Sequence, residues 1–207
     1  MGKPFSPSSE RNRGPILDVL RTVFADRRQV LEIGSGTGQH AVWFGAAMPA
    51  LVWQTSERAE NLPGLRLWLD EAGLPNTPEP LALDVSQAFP AGRWDAVFTA
   101  NTLHIMGWAE VVRFFAALPG VTAPGARLVV YGPFSYGGRH TGPGNAAFDA
   151  SLRAGDPRRG LRDVEAVDAL AREAGFALAS DLAMPADNRC LVWQRAAASI
   201  TGDRHTG

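Results

Sequence analysis

The residues best placed to do chemistry begin at Glu32. There the apolar pair Val30-Leu31 meets a carboxylate, and Gly34, Gly36 and Gly38 follow at alternate positions. A buried strand that breaks into a tight turn and then opens a helix reads this way. Glycine supplies backbone angles closed to other residues and lets the main chain touch a ligand. The helix start adds free N–H groups and a partial positive charge. A dinucleotide pyrophosphate calls for G-x-G-x-x-G. Here the third glycine comes early, at Gly38, and Gln39 takes the place that fingerprint reserves. Further polar groups stand at the ends of later apolar runs. They are Glu57 after Trp53-Gln54-Thr55-Ser56, Asp84 after Leu81-Ala82-Leu83, and Asn101 with His104 after the run ending at Thr99. Open α/β sheets bind ligands at such strand ends.

Gly34-Ser35-Gly36-Thr37-Gly38 after an acidic strand end resembles motif I of the class I S-adenosylmethionine (SAM) methyltransferases, in which the loop passes the methionine part of SAM. That resemblance gives each strand end an expected role. Gly34, Ser35, Gly36 and Gly38 form the cofactor loop. Glu32 holds the SAM ammonium or a water beside it, or else is an acid that stabilises the turn. Glu57 accepts both protons of a ribose diol, or is a surface acid opening a helix. Asp84 accepts from the adenine amine with Val85 packed on the ring, or is a turn aspartate. Asn101 lies by the methionine end and the acceptor. His104 is a candidate general base, since its ordinary pKa lies near working pH, or a structural histidine beside Met106 and Trp108. Tyr131 and Asn145 complete the catalytic candidates. Alignment contributes much of the rate of an in-line displacement, so an obvious catalytic pair is not required. No nucleophile elbow, Walker loop or metal-ligand spacing occurs, and the four histidines are scattered.

The elements that must position these residues alternate. Residues 1–13 read as an irregular polar arm and Pro15–Phe24 as a helix with Pro15 in its first turn. Strands are expected at 29–33, 51–54, 80–85, 94–99 and 127–131. Helices are expected at 38–48, 65–72 (capped by Gly73), 109–118 (stopped by Pro119-Gly120) and 164–173. Two last strands, 176–184 and 190–194, are joined through Pro185-Ala186-Asp187-Asn188. Alternation implies a Rossmann-like, mostly parallel α/β sheet with helices on both faces. Seven strands ending in an antiparallel hairpin are the class I methyltransferase layout. The Gly/Pro/Asn-rich stretch 132–160 is long for a plain connection and reads as an active-site cover. Asp149 within it, with Arg162 and Asp163 just after it, are candidates for a network that pins it. The domain is expected to span 14–195, and the tail 196–207 to be disordered.

Composition bounds the rest. The 207 residues suit one domain. A net charge of -1 offers no field for nucleic acid or anionic membrane. Lys3 is the only lysine, so arginine carries nearly all the positive charge, a bias that with abundant Ala, Gly and Pro fits a GC-rich bacterial coding sequence. The single Cys190 cannot form an internal disulfide, which fits a reducing cytoplasm. No apolar run approaches the ~20 residues of a membrane span, and no signal peptide is expected.

Beyond motif I, more blocks carry a resemblance. They are Glu10-Arg11-Asn12-Arg13 before Pro15-Ile16-Leu17, Leu31 to His40, Trp53 to Glu57, Leu83-Asp84-Val85, and Asn101 with His104. Tyr131-Gly132-Pro133-Phe134, Asn145 with Phe148-Asp149, Leu152-Arg153, Asp156-Pro157, Gly160 to Asp163 and Met184 to Asn188 extend it over roughly residues 10–195. Together they resemble an uncharacterised, methyltransferase-like family of bacteria and animals long catalogued as a domain of unknown function. Glu57 stands where that family usually has Asp, Thr55 where it has Pro, and Asp187 where it has Asn. The resemblance implies a SAM-binding fold with its own cover and N-terminal arm, and no particular acceptor. The arm is expected to fold over the cofactor, with Arg11 or Asn12 near the SAM carboxylate. The expected activity is SAM-dependent transfer of a methyl group to O, N or S of a small molecule. A non-catalytic SAM-binding sensor or partner protein is the alternative.

Overall fold

The protein is described here, as a computed structural model, over residues 2–197; the final tail from 198 on, expected to be disordered, lies outside the described residues. Strand β1 (Gln29–Ile33) pairs in parallel with β2 (Val52–Glu57) on one side and β4 (Trp94–Ala100) on the other. β3 (Leu81–Ala82) pairs with β2, and β5 (Thr122–Tyr136) with β4. The antiparallel hairpin β8 (Phe176–Met184) and β9 (Asn188–Arg195) closes the sheet against β5. Seven strands run in the order β3-β2-β1-β4-β5-β9-β8 and end in the expected antiparallel hairpin, within a sheet of nine strands rather than seven. Two short strands, β6 (Arg139–His140) and β7 (Arg162–Asp163), add to the overhanging end of β5.

Strand alternation splits the apolar residues between two cores. Val30, Trp53, Phe98 and Val129 meet Ile16, Leu20, Phe44 and Leu65 on one face; Leu31, Val97, Leu128 and Trp193 meet Phe114, Phe115, Leu118 and Val167 on the other. The first face belongs to α1 (Pro7–Val23), α2 (Gln39–Ala47) and α3 (Leu62–Ala72), the second to α4 (Trp108–Val121) and α6 (Val164–Glu173).

Several boundaries differ from expectation. Residues 7–13 are not an irregular arm but the first turns of α1. Ser6 caps this helix by accepting from the Ser9 N–H at 3.2 Å. Pro7 sits in the first turn, where its missing N–H costs nothing. Pro15 therefore falls inside the helix, at the loss of one backbone hydrogen bond. Pro119 likewise lies inside α4, which continues so that Val121 is buried. The third strand shrinks to two residues because Asp84 turns the chain, its Oδ1 accepting from the Ser86 N–H at 2.8 Å. The stretch 132–160 is largely regular: β5 runs on to Tyr136, and α5 (Pro143–Gly155) follows.

Candidate functional site

The chain reverses direction across the sheet between β1 and β4, which leaves a crevice at their carboxyl ends. A cavity of about 470 Å³ lies there, lined by Ile33 to Thr37, Glu57, Leu83 to Val85, Ala100 to Thr102 and the serines at 6, 8 and 9. The three loop glycines do different work. All have positive φ: 75° at Gly34, 56° at Gly36 and 92° at Gly38. A Cβ on Gly38 would lie 2.7 Å from Leu65 Cδ1, so Gly38 lets α3 pack under the loop, away from the cavity lining. A Cβ on Gly34 would meet the Thr102 side chain at 2.9 Å. Gly36 has open space instead, and its N–H donates to Glu57 Oε2 at 2.8 Å.

Glu57 is buried at the end of β2, its Oε1 taking the Arg58 N–H at 2.9 Å and Asn61 Nδ2 at 3.2 Å. These three donors orient its carboxylate at the cavity lining. Asp84 and Val85 line the same wall, and the Ser86 N–H holds the Asp84 carboxyl below its usual range. Asn101 adopts φ 57° as β4 ends, and its N–H donates to the Tyr131 carbonyl at 2.8 Å. Ser35 lines the cavity, and its Oγ accepts from the Ser56 N–H at 3.2 Å.

Glu32 is placed elsewhere. It lies behind the loop, 2 % exposed, and accepts from Trp53 Nε1 at 2.9 Å. It does not line the cavity, and burial pushes its pKa up to about 7. Its carboxylate ties β1 to β2 beneath the loop rather than offering itself to a ligand. Asn145 also stands off the site: its Nδ2 donates to Thr141 Oγ1 at 2.7 Å and to the Asp187 carbonyl at 3.1 Å, fixing α5 to the last hairpin.

A second cavity, of about 450 Å³, shares Ser8 and Asn101 with the first. Arg11, Asn12, His104 and Tyr131 line it, with Phe148 from α5 and Pro185, Ala186 and Asn188 from the hairpin turn. His104 is 7 % exposed, stacks edge-on against Phe148 at 5.3 Å, and is pushed down to about 4 by burial and then by the Arg162 charge. It is thus neutral at pH 7. Burial raises the Tyr131 phenol. Arg11 and Asn12 belong to this second cavity and not to the first. Asp149 pairs with Arg153 at 2.9 Å and accepts from the Leu161 N–H, while Arg162 donates to the carbonyls of Leu103, Met106 and Arg158. Those bonds pin the cover beside His104.

The family described as "Protein of unknown function (DUF938)" matches residues 3–195. The chain belongs to this family. Among solved structures, this DUF938 member is similar to an O-methyltransferase family protein from Burkholderia thailandensis, with a TM-score of 0.81 at 20% identity over 92% of this chain and 58% of that one. It also resembles the mitomycin 7-O-methyltransferase MmcR, with a TM-score of 0.79 at 22% identity over 91% and 54% of the two chains. The S-adenosylmethionine-dependent methyltransferase SibL follows, with a TM-score of 0.73 at 26% identity over 91% and 56%. The DUF938 chain spans a little over half the length of these structures. Their shared feature is the Rossmann-like methyltransferase fold.

Sequence reasoning missed Gln39 and His40. Gln39, 2 % exposed, accepts from the Ser6 N–H at 2.5 Å and donates to Glu10 Oε1 at 2.8 Å. His40 Nε2 bonds Asn12 Oδ1 at 2.7 Å. These two residues clamp α1 over the glycine loop and explain the Glu10-Arg11-Asn12-Arg13 block. Glu10 meets Gln39 and Arg13, Asn12 meets His40, Arg13 lies over Trp43 at 4.0 Å, and Arg11 is left for the second cavity. The available signal was two polar residues opening an otherwise apolar helix, Gln39-His40-Ala41-Val42-Trp43-Phe44.

Proposed function

We propose that this protein is a SAM-dependent methyltransferase acting on O, N or S of a small molecule. One observation carries the reading: the glycine loop, Glu57, Asp84-Val85 and Asn101 line a single cavity at the point where the sheet reverses. The donor set suits SAM piece by piece. Glu57 is placed for the ribose hydroxyls, Asp84 for the adenine amine and Val85 for the ring face. Backbone at Gly34 to Gly36 borders the remaining space. The first turn of α1, with the Ser8 and Ser9 hydroxyls, brings a positive helix end to the opposite wall and suits the methionine carboxylate. When bound, SAM supplies an activated methyl group on a sulfonium. What the chain adds is alignment: Asn101, shared by both cavities, stands at their junction.

A distinct second cavity touching the first, largely apolar but carrying Arg11, Asn12, His104 and Tyr131, favours an enzyme over a passive SAM binder. The lone, buried Cys190 supports a cytoplasmic setting. Among the described residues, no helix is long and apolar enough to cross a membrane. The reading is tested by calorimetric titration with SAM, S-adenosylhomocysteine and NAD. The expected result is binding of the first two and silence from NAD. Silence from SAM and S-adenosylhomocysteine would overturn it.

A further inference from the structure

The second cavity is lined by a polar ring that opens onto it. His104 is 7 % exposed, and no side-chain hydrogen bond to another described residue ties its ring down, so the imidazole is available to whatever fills the cavity. A neutral imidazole carries one donor and one acceptor. A ligand hydroxyl can pair with whichever ring nitrogen faces the cavity, donating to it or accepting from it. The cavity also has a one-sided charge. Arg11 is the only charged residue in its lining. Among the described residues Arg11 forms no ion pair, whereas Arg13, Arg153 and Arg189 around the site are each paired with a carboxylate. Phe148, Pro15 and Pro185 add apolar surface to the same lining. The volume, about 450 Å³, admits a substituted single ring.

We propose that this cavity is the acceptor site and that its occupant is a small aromatic hydroxy acid, with the hydroxyl at His104 and the carboxylate at Arg11. The inference concerns binding, and it rests on the methyltransferase reading only in calling the occupant the acceptor. It also assigns Arg11 to the acceptor rather than to the SAM carboxylate that the sequence favours. Tyr131 and Asn12 bound the same space, so the ring is held between α1 and β5.

The test uses the full chain and four probes: para-hydroxybenzoate, meta-hydroxybenzoate, benzoate and para-hydroxybenzyl alcohol. Affinity is read by calorimetry, and the His104 ring nitrogens are followed by NMR. At least one hydroxybenzoate is expected to shift the His104 nitrogens and to bind about ten-fold or more tighter than benzoate, which lacks the hydroxyl, or the alcohol, which lacks the carboxylate. Arg11→Ala is exposed and should fold; it is expected to cut hydroxybenzoate affinity at least ten-fold and to leave S-adenosylhomocysteine affinity unchanged. Hydroxybenzoates that bind no better than the controls, that leave His104 unmoved, or that ignore Arg11→Ala overturn the proposal. Titrating S-adenosylhomocysteine into the same sample separates the two readings. If it binds while the hydroxybenzoates do not, this inference alone fails. If it is silent while they still move His104, the methyltransferase reading fails and the cavity remains an acid-binding site.

Discussion

Glu57 and Gly38 show how one side chain, or the lack of one, decides the site. The Glu57 carboxylate is already held by the N–H groups of Gly36 and Arg58, so it meets a ligand without first being ordered. Charged hydrogen bonds contribute about 1.5–3 kcal/mol each, so Glu57→Ala is expected to weaken S-adenosylhomocysteine binding by at least ten-fold in a calorimetric titration. Gly38 acts on folding instead. With φ at 92° and Leu65 Cδ1 2.7 Å from where a Cβ would lie, Gly38→Ala must strain the loop or displace α3. A cost of about 1–3 kcal/mol follows. At about 2–4 °C per kcal/mol for a chain of this size, the melting temperature should drop by several degrees in a thermal scan.

At the scale of elements, the decisive contact is α1 against the glycine loop. α1 supplies Ile16, Leu17 and Leu20 to one core, which fixes its body. Its first turns are held by different means, through Ser6 and Glu10 to Gln39 and through Asn12 to His40. Serines 8 and 9 and Arg11 are thereby brought to the two cavities. Gln39→Ala removes bonds at the start of α1 and touches no strand. The expected outcome is a folded protein whose residues 7–12 exchange amide hydrogens faster by hydrogen-exchange mass spectrometry, with weaker S-adenosylhomocysteine binding. Unchanged protection there would mean that the core contacts alone hold the helix.

The whole molecule carries buried titratable groups whose effects oppose each other. Burial pushes His40 and His104 from 6.5 down to about 4. For both, the unfolded chain binds the proton first as pH falls, so their contribution is intact above about pH 6.5 and is lost progressively toward pH 4. Glu32 has the reverse sign: its folded pKa is raised from 4.5 to about 7, so it lowers stability as pH rises through that interval. Two histidines against one glutamate leave a net loss of stability on acidification from pH 6.5, to be measured by urea unfolding at several pH values. In Glu32→Gln the opposing contribution is gone. The variant should therefore gain on the wild type as pH rises from 5 to 8, and show the steeper loss of stability in acid. A constant difference across that range would show that Glu32 does not titrate in the folded protein.

The sequence by itself determined the strand-loop-helix around Gly34 to Gly38, the alternation that builds two cores, and the terminal hairpin. These are local: each depends on backbone angles that only glycine tolerates, or on a period of apolar residues within one element. It also brought out Glu57, Asp84, Val85 and Asn101, because in a parallel sheet a residue at a strand's carboxyl end is delivered to one edge whatever the details. Side-chain direction was decided only by the tertiary structure. Glu32 ends β1 as convincingly as Glu57 ends β2, yet the pleat turns it toward Trp53 and away from the cavity. Asn145 sits in the cover but faces the hairpin turn. The start of α1 was hidden too, because Pro15 reads as a first-turn residue until the Gln39 and His40 anchors, 33 and 28 residues from their partners in the chain, hold the earlier turns in place. Where a side chain points, and which distant partner meets it, depends on the packing of elements far apart in the chain, and no local pattern records that.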